Sequence, residues 1–312
     1  MYQDRLVSML ESRLSRRVVL QRAAVAGAGA GVALALGGTQ FALAGHKAQD
    51  AEYPELVIVA KEMSFDVAET FEGGVVKLTF DNQGELDHHA MFMRVNDDAT
   101  LEDVQAALST PDFGAVFAVS TSHGGPMAGP GRKASVIVDL PAGTYVLICA
   151  IPGEDGMPHY MMGMQAVVEV TTPAAVTAPA PEADATIELM EMMFHGLETE
   201  IAAGPVMFEV VNTGAAIHEI LVMQLAEGFT SDMLLEMVMA PPSATPEAAP
   251  AEMQGPPPFA NIGGVAPMNP GLTNFLPLEL TAGEYVAICF IPDTETGAPH
   301  AALGMVMPFM VA

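Results

Sequence analysis

Apolar and polar residues alternate along this chain in short runs bounded by turn residues, a period of two that predicts half-buried strands. The first set is LVIVAK from Leu56, VVKLTF from Val75, HAMFMRV from His89, ASVIVDL from Ala134, TYVLICA from Thr144 and MQAVVEV from Met164. TIELM, VMFEVV, EILVMQL, FLPLEL, EYVAICF and MVMPFMV then follow in the same order. Runs of this kind, repeated as a set, predict an all-β chain of two tandem Greek-key β-sandwiches. One short helix interrupts each set. Thr100 and Asp103 make a capping-box-like start that continues through Val104 to Leu108, and Ser231 or Thr230 caps a counterpart ending near Met239.

The repetition extends to individual residues. NQGELDHHAMFMRV (Asn82 to Val95) recurs as NTGAAIHEILVMQL (Asn212 to Leu225), and PAGTYVLICAIPGEDGMPHYMMGM (Pro141 to Met164) recurs as TAGEYVAICFIPDTETGAPHAALGM (Thr281 to Met305). A residue kept in both copies is one structural position sampled twice. After each helix a Pro/Gly-rich excursion returns to the sheet, with Gly124-Gly125, Met127 and Pro130-Gly131 echoed by Gly263-Gly264, Met268 and Pro270-Gly271. The second excursion is longer, includes Pro241-Pro242 and Pro256-Pro257-Pro258, and is expected to be partly mobile. Domain 1 is read over 51–172 and domain 2 over 185–312. The Pro/Ala-rich segment 173–184 is read as a semi-extended linker.

The N-terminal segment stands apart from this pattern. Ser15-Arg16-Arg17-Val18-Val19-Leu20-Gln21 precedes an uncharged Ala/Gly/Val/Leu run, and Ala42-Leu43-Ala44 offers a small-residue cleavage site. The run is near the roughly 18 to 20 residues that span a bilayer. The arginine pair and the small residues favour a twin-arginine export signal over 1–44. The expected location is the periplasm, the exterior or the cell surface, with no membrane span after cleavage. The whole chain of 312 residues has 11 Lys+Arg against 38 Asp+Glu, a formal charge of −27. Without the five basic and two acidic residues of 1–44, the balance is 6 against 36, about −30. Such a surface repels phosphate backbones and excludes a nucleic-acid partner.

The residues kept in both copies include potential metal donors. Asn to His is six positions in each copy (Asn82 to His88, Asn212 to His218), Tyr to Cys is four (Tyr145 to Cys149, Tyr285 to Cys289), and His to Met is five (His159 to Met164, His300 to Met305). Only the step from Cys to His varies, ten in one copy and eleven in the other. Two imidazoles, a thiolate and a weak axial thioether are the donors of a blue-copper site. In order and spacing the chain resembles the cupredoxin, or type 1 copper, superfamily. That resemblance implies a seven- or eight-stranded sandwich around a mononuclear copper that shuttles one electron. Carried over, it makes His88 and His218 the upstream imidazoles, Cys149 and Cys289 the thiolates, His159 and His300 the second imidazoles, and Met164 and Met305 the axial thioethers. Asn82 and Asn212 match only the turn.

The chain departs from the family in one respect. Nine and ten residues stand between Cys and the second His, where only a few are usual, and a hairpin turning at Pro-Gly or Thr-Gly would preserve the site. Met161 and Met162 compete with Met164, but repeat two has Ala302 and Leu303 there, which favours Met164. His89 aligns with Glu219 and is expected beside the site or exposed. His195 is expected at the surface, and His123 in its Gly-rich loop is within the range of an opportunistic metal contact. Most of the 23 methionines read as core filler, Met91, Met93, Met207 and Met223 among them. The two cysteines occupy equivalent places in separate repeats, which argues for two thiols rather than a bridge.

The implied function is copper-mediated electron carriage, with a redox protein, basic on its docking face, as partner. The alternative is a metal-free or copper-carrying binding module. A copper oxidase or nitrite reductase would need His-x-His and His-Cys-His patterns. Neither occurs, since Cys149 is flanked by Ile148 and Ala150 and Cys289 by Ile288 and Phe290. Nor does the chain offer a Ser-His-Asp set, a phosphate loop or paired zinc cysteines, so an enzyme is not the favoured reading.

Overall fold

A computed structural model describes residues 53–110, 113–153, 156–174, 178–239 and 257–312. The segment 1–44 expected to be an export signal, and Pro241, Pro242 and Pro256, lie outside the described residues. Repeat one contributes β1 (Glu55–Lys61), β2 (Ser64–Asp66), β3 (Thr70–Glu72), β4 (Gly74–Asn82), β5 (His88–His89), β6 (Met91–Val95), β7 (Ser120–Ser122), β8 (Met127–Ala128), β9 (Lys133–Leu140), β10 (Gly143–Ile148) and β11 (Gln165–Thr171). Repeat two contributes β12 (Ala185–Met190), β13 (Met193–His195), β14 (Gly204–Asn212), β15 (His218–Leu225), β16 (Phe259–Met268), β17 (Thr273–Leu280), β18 (Gly283–Ile288) and β19 (Val306–Val311). Helices α1 (Leu101–Leu108) and α2 (Ser231–Met239) are the expected insertions. Thr100 and Asp103 cap α1 reciprocally, and Thr230 rather than Ser231 caps α2, its hydroxyl accepting from Met233 N.

In each repeat two sheets face each other. Repeat one packs β2-β1-β4-β9 against β3-β11-β10-β6-β7; repeat two packs β13-β12-β14-β17 against β16-β15-β18-β19. The first long pair is parallel in both, β1 with β4 and β12 with β14, and these strands alternate buried with open positions as the period of two demands. Strands β6 and β10 behave differently. Met91, Met93, Val146 and Ile148 point away from the sandwich interior yet are buried, because Val104 and Leu108 of α1 cover that face. Leu234 of α2 covers Met223, Val286 and Ile288 in the same way. Both faces of these strands are therefore apolar, and a continuous apolar run replaces the alternation.

Two features differ from expectation. The described part of the second excursion is a strand: β16 runs antiparallel to β15 with a register shift, and Gly264 sits where a Cβ would collide with the carbonyl oxygen of Ile220. Gly125 meets the carbonyl of Ala90 likewise, at φ 131°. These glycines are sites of close backbone approach within paired segments. The second feature is that the repeats share a sheet. β17 pairs with β9 through Asn274↔Val138 and Phe275↔Ile137, so the two inner sheets form one eight-stranded sheet. Further bonds cross between the repeats, including Asn274 Nδ2 to His123 O at 2.9 Å and Ala266 N to Gly125 O at 2.8 Å. The described residues between Thr171 and Ala185 contain no helix or strand.

Candidate metal centres

Each candidate centre lies at one end of its sandwich, where three backbone segments converge. The upstream histidine is held by the asparagine six residues before it. Asn82 is fully buried; its Nδ2 donates to Leu86 O at 2.8 Å and Ala128 O at 2.9 Å, and its Oδ1 accepts from Gly84 N at 3.0 Å. Asn212 repeats the set with Ala216 O, Met268 O and Gly214 N at 2.9, 2.9 and 3.1 Å. One side chain thus closes the turn and ties it to the neighbouring strand, β8 or β16. The asparagine was legible in the spacing as a turn residue, and its function is to peg the loop that presents the histidine.

The long loop between Cys and His folds back as a hairpin. Pro152 bridges Pro158 in repeat one and Pro292 bridges Pro299 in repeat two, so the extra residue of repeat two is absorbed beyond the bridge, at the tip. Below the bridge the two copies coincide. His159 N donates to Ile151 O and His300 N to Ile291 O, while Tyr160 N and Ala301 N donate to the carbonyls of Cys149 and Cys289. A 310 turn carries each second histidine, His159–Met162 and His300–Leu303, and ends at a left-handed glycine, Gly163 or Gly304. That reversal brings Met164 and Met305 back beside the cysteines. Cys149 N donates to Met164 O and Cys289 N to Met305 O, both at 3.2 Å. Both methionines are fully buried, whereas Met161 and Met162 are 43% and 36% exposed.

Two three-donor groups result. His88, Cys149 and His159 form one, and His218, Cys289 and His300 the other, all buried, with the donor atoms of each group within 4.8 Å of one another. The Nδ1 atoms of His88 and His159 stand 3.1 Å apart, and Cys149 Sγ is 3.8 Å from the first and 3.5 Å from the second. In repeat two the Nδ1 atoms of His218 and His300 are again 3.1 Å apart, with Cys289 Sγ 3.5 Å from His300 Nδ1. Nitrogens about 2.0 Å and a sulfur about 2.3 Å from one shared atom would show such separations at angles of roughly 100° to 125°. The donor set therefore fits a single soft or borderline cation, and two imidazoles with a thiolate are the copper-type set. Neither cysteine is bridged.

Without a metal each cluster is electrically neutral at pH 7. Burial, then the charge of His159, brings His88 down to about 4; burial, then the charge of His300, brings His218 to about 4. Burial pushes the Cys149 thiol up to about 12, and burial together with the charge of Glu219 raises that of Cys289. Neutral imidazoles are ready to coordinate, while the thiol must give up its proton.

The wall around each cluster also contains residues not singled out from the sequence. Glu62 and Glu191 each precede a methionine at positive φ, Met63 at 58° and Met192 at 57°. Each carboxylate takes backbone N–H groups of the histidine loop: Glu62 that of Glu85, Glu191 those of Ala215 and Ala216. A Cβ on Gly84 would meet both Glu62 and His88 Nε2, so the carboxylate and the imidazole flank that glycine closely. The shared Glu-Met-x-Phe of Glu62 to Phe65 and Glu191 to Phe194 was the available signal. His89 is buried, and its Nε2 accepts from Ala150 N at 2.8 Å. His123 is not in either group: it packs edge-on to Tyr145 with ring centres 5.6 Å apart. His195 is exposed near Glu188 and Glu198.

No protein-family profile matches the chain, and no curated protein matches it in sequence. Solved structures do match. A dithionite-reduced auracyanin of the photosynthetic bacterium Roseiflexus castenholzii is 24% identical over 39% of this chain and 98% of its own, with a TM-score of 0.25. Auracyanin A of Chloroflexus aurantiacus, described as a "blue" copper protein, is 23% identical over 38% and 98%, with a TM-score of 0.26. A copper nitrite reductase of Nitrosomonas europaea is 14% identical over 83% and 93%, with a TM-score of 0.23. In its own strand order the chain is an all-β protein of two tandem sandwiches, each holding a buried His–Cys–His group followed in sequence by a buried methionine.

Proposed function

We propose that the chain is an exported copper protein carrying single electrons through His2CysMet sites, His88–Cys149–His159–Met164 in repeat one and His218–Cys289–His300–Met305 in repeat two. The observation that carries the reading is the duplicated convergence of two Nδ1 atoms and one Sγ in a buried cluster. Buried polar groups are retained against a desolvation penalty, and a metal-free module has no use for the same arrangement twice. When bound, copper would supply the Cu(II)/Cu(I) couple. The protein would hold the donors in fixed places through the asparagine peg and the Cys–His hairpin, and keep water from them by burial. His89 N, 3.5 Å from Cys149 Sγ, directs an amide proton at the sulfur and steadies negative charge there.

The partner is proposed to be a redox protein with a basic face. Residues 134–312 contain neither lysine nor arginine, so repeat two brings acidic groups without cationic ones of its own, which would steer such a partner. The export signal in 1–44 supports a periplasmic or exterior location.

The test is titration of the chain with Cu(II), counting bound copper and reading the visible spectrum for thiolate-to-copper charge transfer. Two equivalents with intense colour are expected, falling to one in either Cys149→Ser or Cys289→Ser. Colourless or loosely held copper would refute the type 1 reading and leave a binding module.

A further inference from the structure

Outside residues 1–44 the chain has six lysines and arginines, and three of them, Lys77, Arg132 and Lys133, line one cleft of about 490 Å³ between the two repeats. Lys77 lies on β4, Lys133 opens β9, and Arg132 stands in the turn just before it. Repeat two contributes Ile262 of β16 and Pro277 and Leu278 of β17 to the same lining. The cationic side chains thus come from repeat one and the larger apolar ones from repeat two. Among the described residues Glu279 is the one carboxylate of the lining. In a chain of formal charge −27, three cations against one carboxylate are a local inversion of sign.

Repetition supplies an internal control. The positions of repeat two that match Lys77, Arg132 and Lys133 hold Met207, Leu272 and Thr273, so the shared fold does not call for cations at these places. Two of the three are partly engaged: Lys77 Nζ is 3.1 Å from Glu55 and Lys133 Nζ 2.9 Å from Asp81, each across neighbouring strands. Both lysines are exposed, which makes such pairs worth little, and an ammonium that gives one proton to a carboxylate keeps two for another acceptor. Arg132 differs. Among the described residues its guanidinium makes neither an ion pair nor a hydrogen bond, and Glu279 does not reach it. Its backbone is nonetheless held, N donating to Gly129 O at 3.2 Å and O accepting from Asn82 N at 3.0 Å. A fixed base carrying an unengaged planar fork of N–H donors is suited to a carboxylate.

We infer that this cleft binds a small organic anion, a carboxylate on a short apolar body, with Arg132 anchoring the carboxylate and Ile262, Pro277 and Leu278 seating the body. The volume falls within the roughly 300 to 1,000 Å³ usual for small-molecule sites, and apolar surface with a few placed polar groups is their usual lining. A bare inorganic anion would leave the apolar side chains unused. An extended polyanion is repelled by the acidic chain as a whole, whereas a single carboxylate meets the cations at close range. Since the cations and the apolar side chains belong to different repeats, neither repeat holds the site alone, and an occupant ties the two together. The site involves none of the metal-donor residues and stands apart from the copper reading.

The test uses the full copper-free chain, isotope-labelled, with benzoate as the probe and neutral benzamide as its control at constant ionic strength. Benzoate is expected to shift the backbone amide resonances of residues 132–135 and 278–281 together and to saturate; benzamide should not. Arg132→Gln should abolish the shifts, and Arg132→Lys should restore them only in part, because the charge returns without the fork. The Arg132 side chain is exposed and unengaged, so both variants should keep the parent spectrum away from the cleft. Glu279→Gln, which removes the carboxylate of the lining, should tighten benzoate binding. Inorganic phosphate should bind more weakly than benzoate. Shifts that fail to saturate, that benzamide reproduces, or that survive in Arg132→Gln would overturn the inference. Phosphate binding as tightly as benzoate would overturn it too, since the apolar side chains of repeat two would then contribute nothing.

Discussion

Glu219 allows a quantitative test in the copper-free chain. Burial raises its carboxyl from the ordinary 4.5 to about 7, with only the Phe290 amide pulling the other way. Between those values the unfolded chain releases its proton more readily than the folded one, so rising pH favours unfolding. The penalty is absent below pH 4.5 and complete above pH 7. A difference of about 2.5 units at 1.36 kcal/mol each amounts to about 3 kcal/mol. Glu219→Gln keeps an oxygen for Phe290 N but cannot ionise. Measured by urea unfolding with chelator present, the unfolding free energy of the variant relative to the parent should grow by about 3 kcal/mol from pH 4.5 to pH 8. The neutral buried histidines, brought to about 4 at His88 and His218 and about 3 at His89, work in the opposite sense. Their contribution is present above pH 6.5 and lost as pH falls toward those values; it is common to both chains and drops out of the comparison. A stability difference that stays constant over this range, or that grows toward acid, would refute the burial-raised titration of Glu219.

Asn212→Ala deprives one buried and one part-buried carbonyl and one amide of their partner, and thermal unfolding should show a loss of about 2 to 4 kcal/mol. Gly264→Ala pushes a methyl group into the Ile220 carbonyl and to 2.7 Å from Met127 Sδ; a loss of about 3 kcal/mol or more by denaturant unfolding is expected, and wild-type stability would mean that β16 does not pair there. Tyr145→Phe removes the hydroxyl that donates to Pro141 O at 2.9 Å, a bond matched by Tyr285 and Thr281 O, and should lower stability by about 1 kcal/mol. Copper uptake at pH 7 should release about one proton per site from the thiol, measured by calorimetry in buffers of different ionisation enthalpy; a value near two would show that one imidazole starts out charged.

Much of this architecture was legible because the chain repeats itself. Alternation located the long strands, and constant spacings located the six donors that converge. The lengthened Cys–His loops survive because their variation falls beyond the Pro152–Pro158 and Pro292–Pro299 bridges. Other elements were hidden for physical reasons. Strand β16 contains Gly263, Gly264 and Pro267, whose composition suggests a loop, yet at Gly264 the small residue is required by how closely the Ile220 backbone approaches. Glu62 and Glu191 escaped notice since an acidic residue in an acidic chain carries little signal until its turn is seen to fold over the histidine loop. The lateral neighbour of β9 could not be read at all: ASVIVDL suits a central strand or an edge equally, and only the tertiary arrangement decides between them.

That neighbour has a consequence for how such a chain is built. Within its own repeat β9 would be a margin of the inner sheet, as would β17, and an open margin invites any other extended chain to add to it. Where the two meet, each is the other's cover. Duplication has thus given both copies a built-in mate. Either half expressed alone would bare its raw margin at that point, and should be recovered self-associated or aggregated rather than as a tidy miniature of the whole.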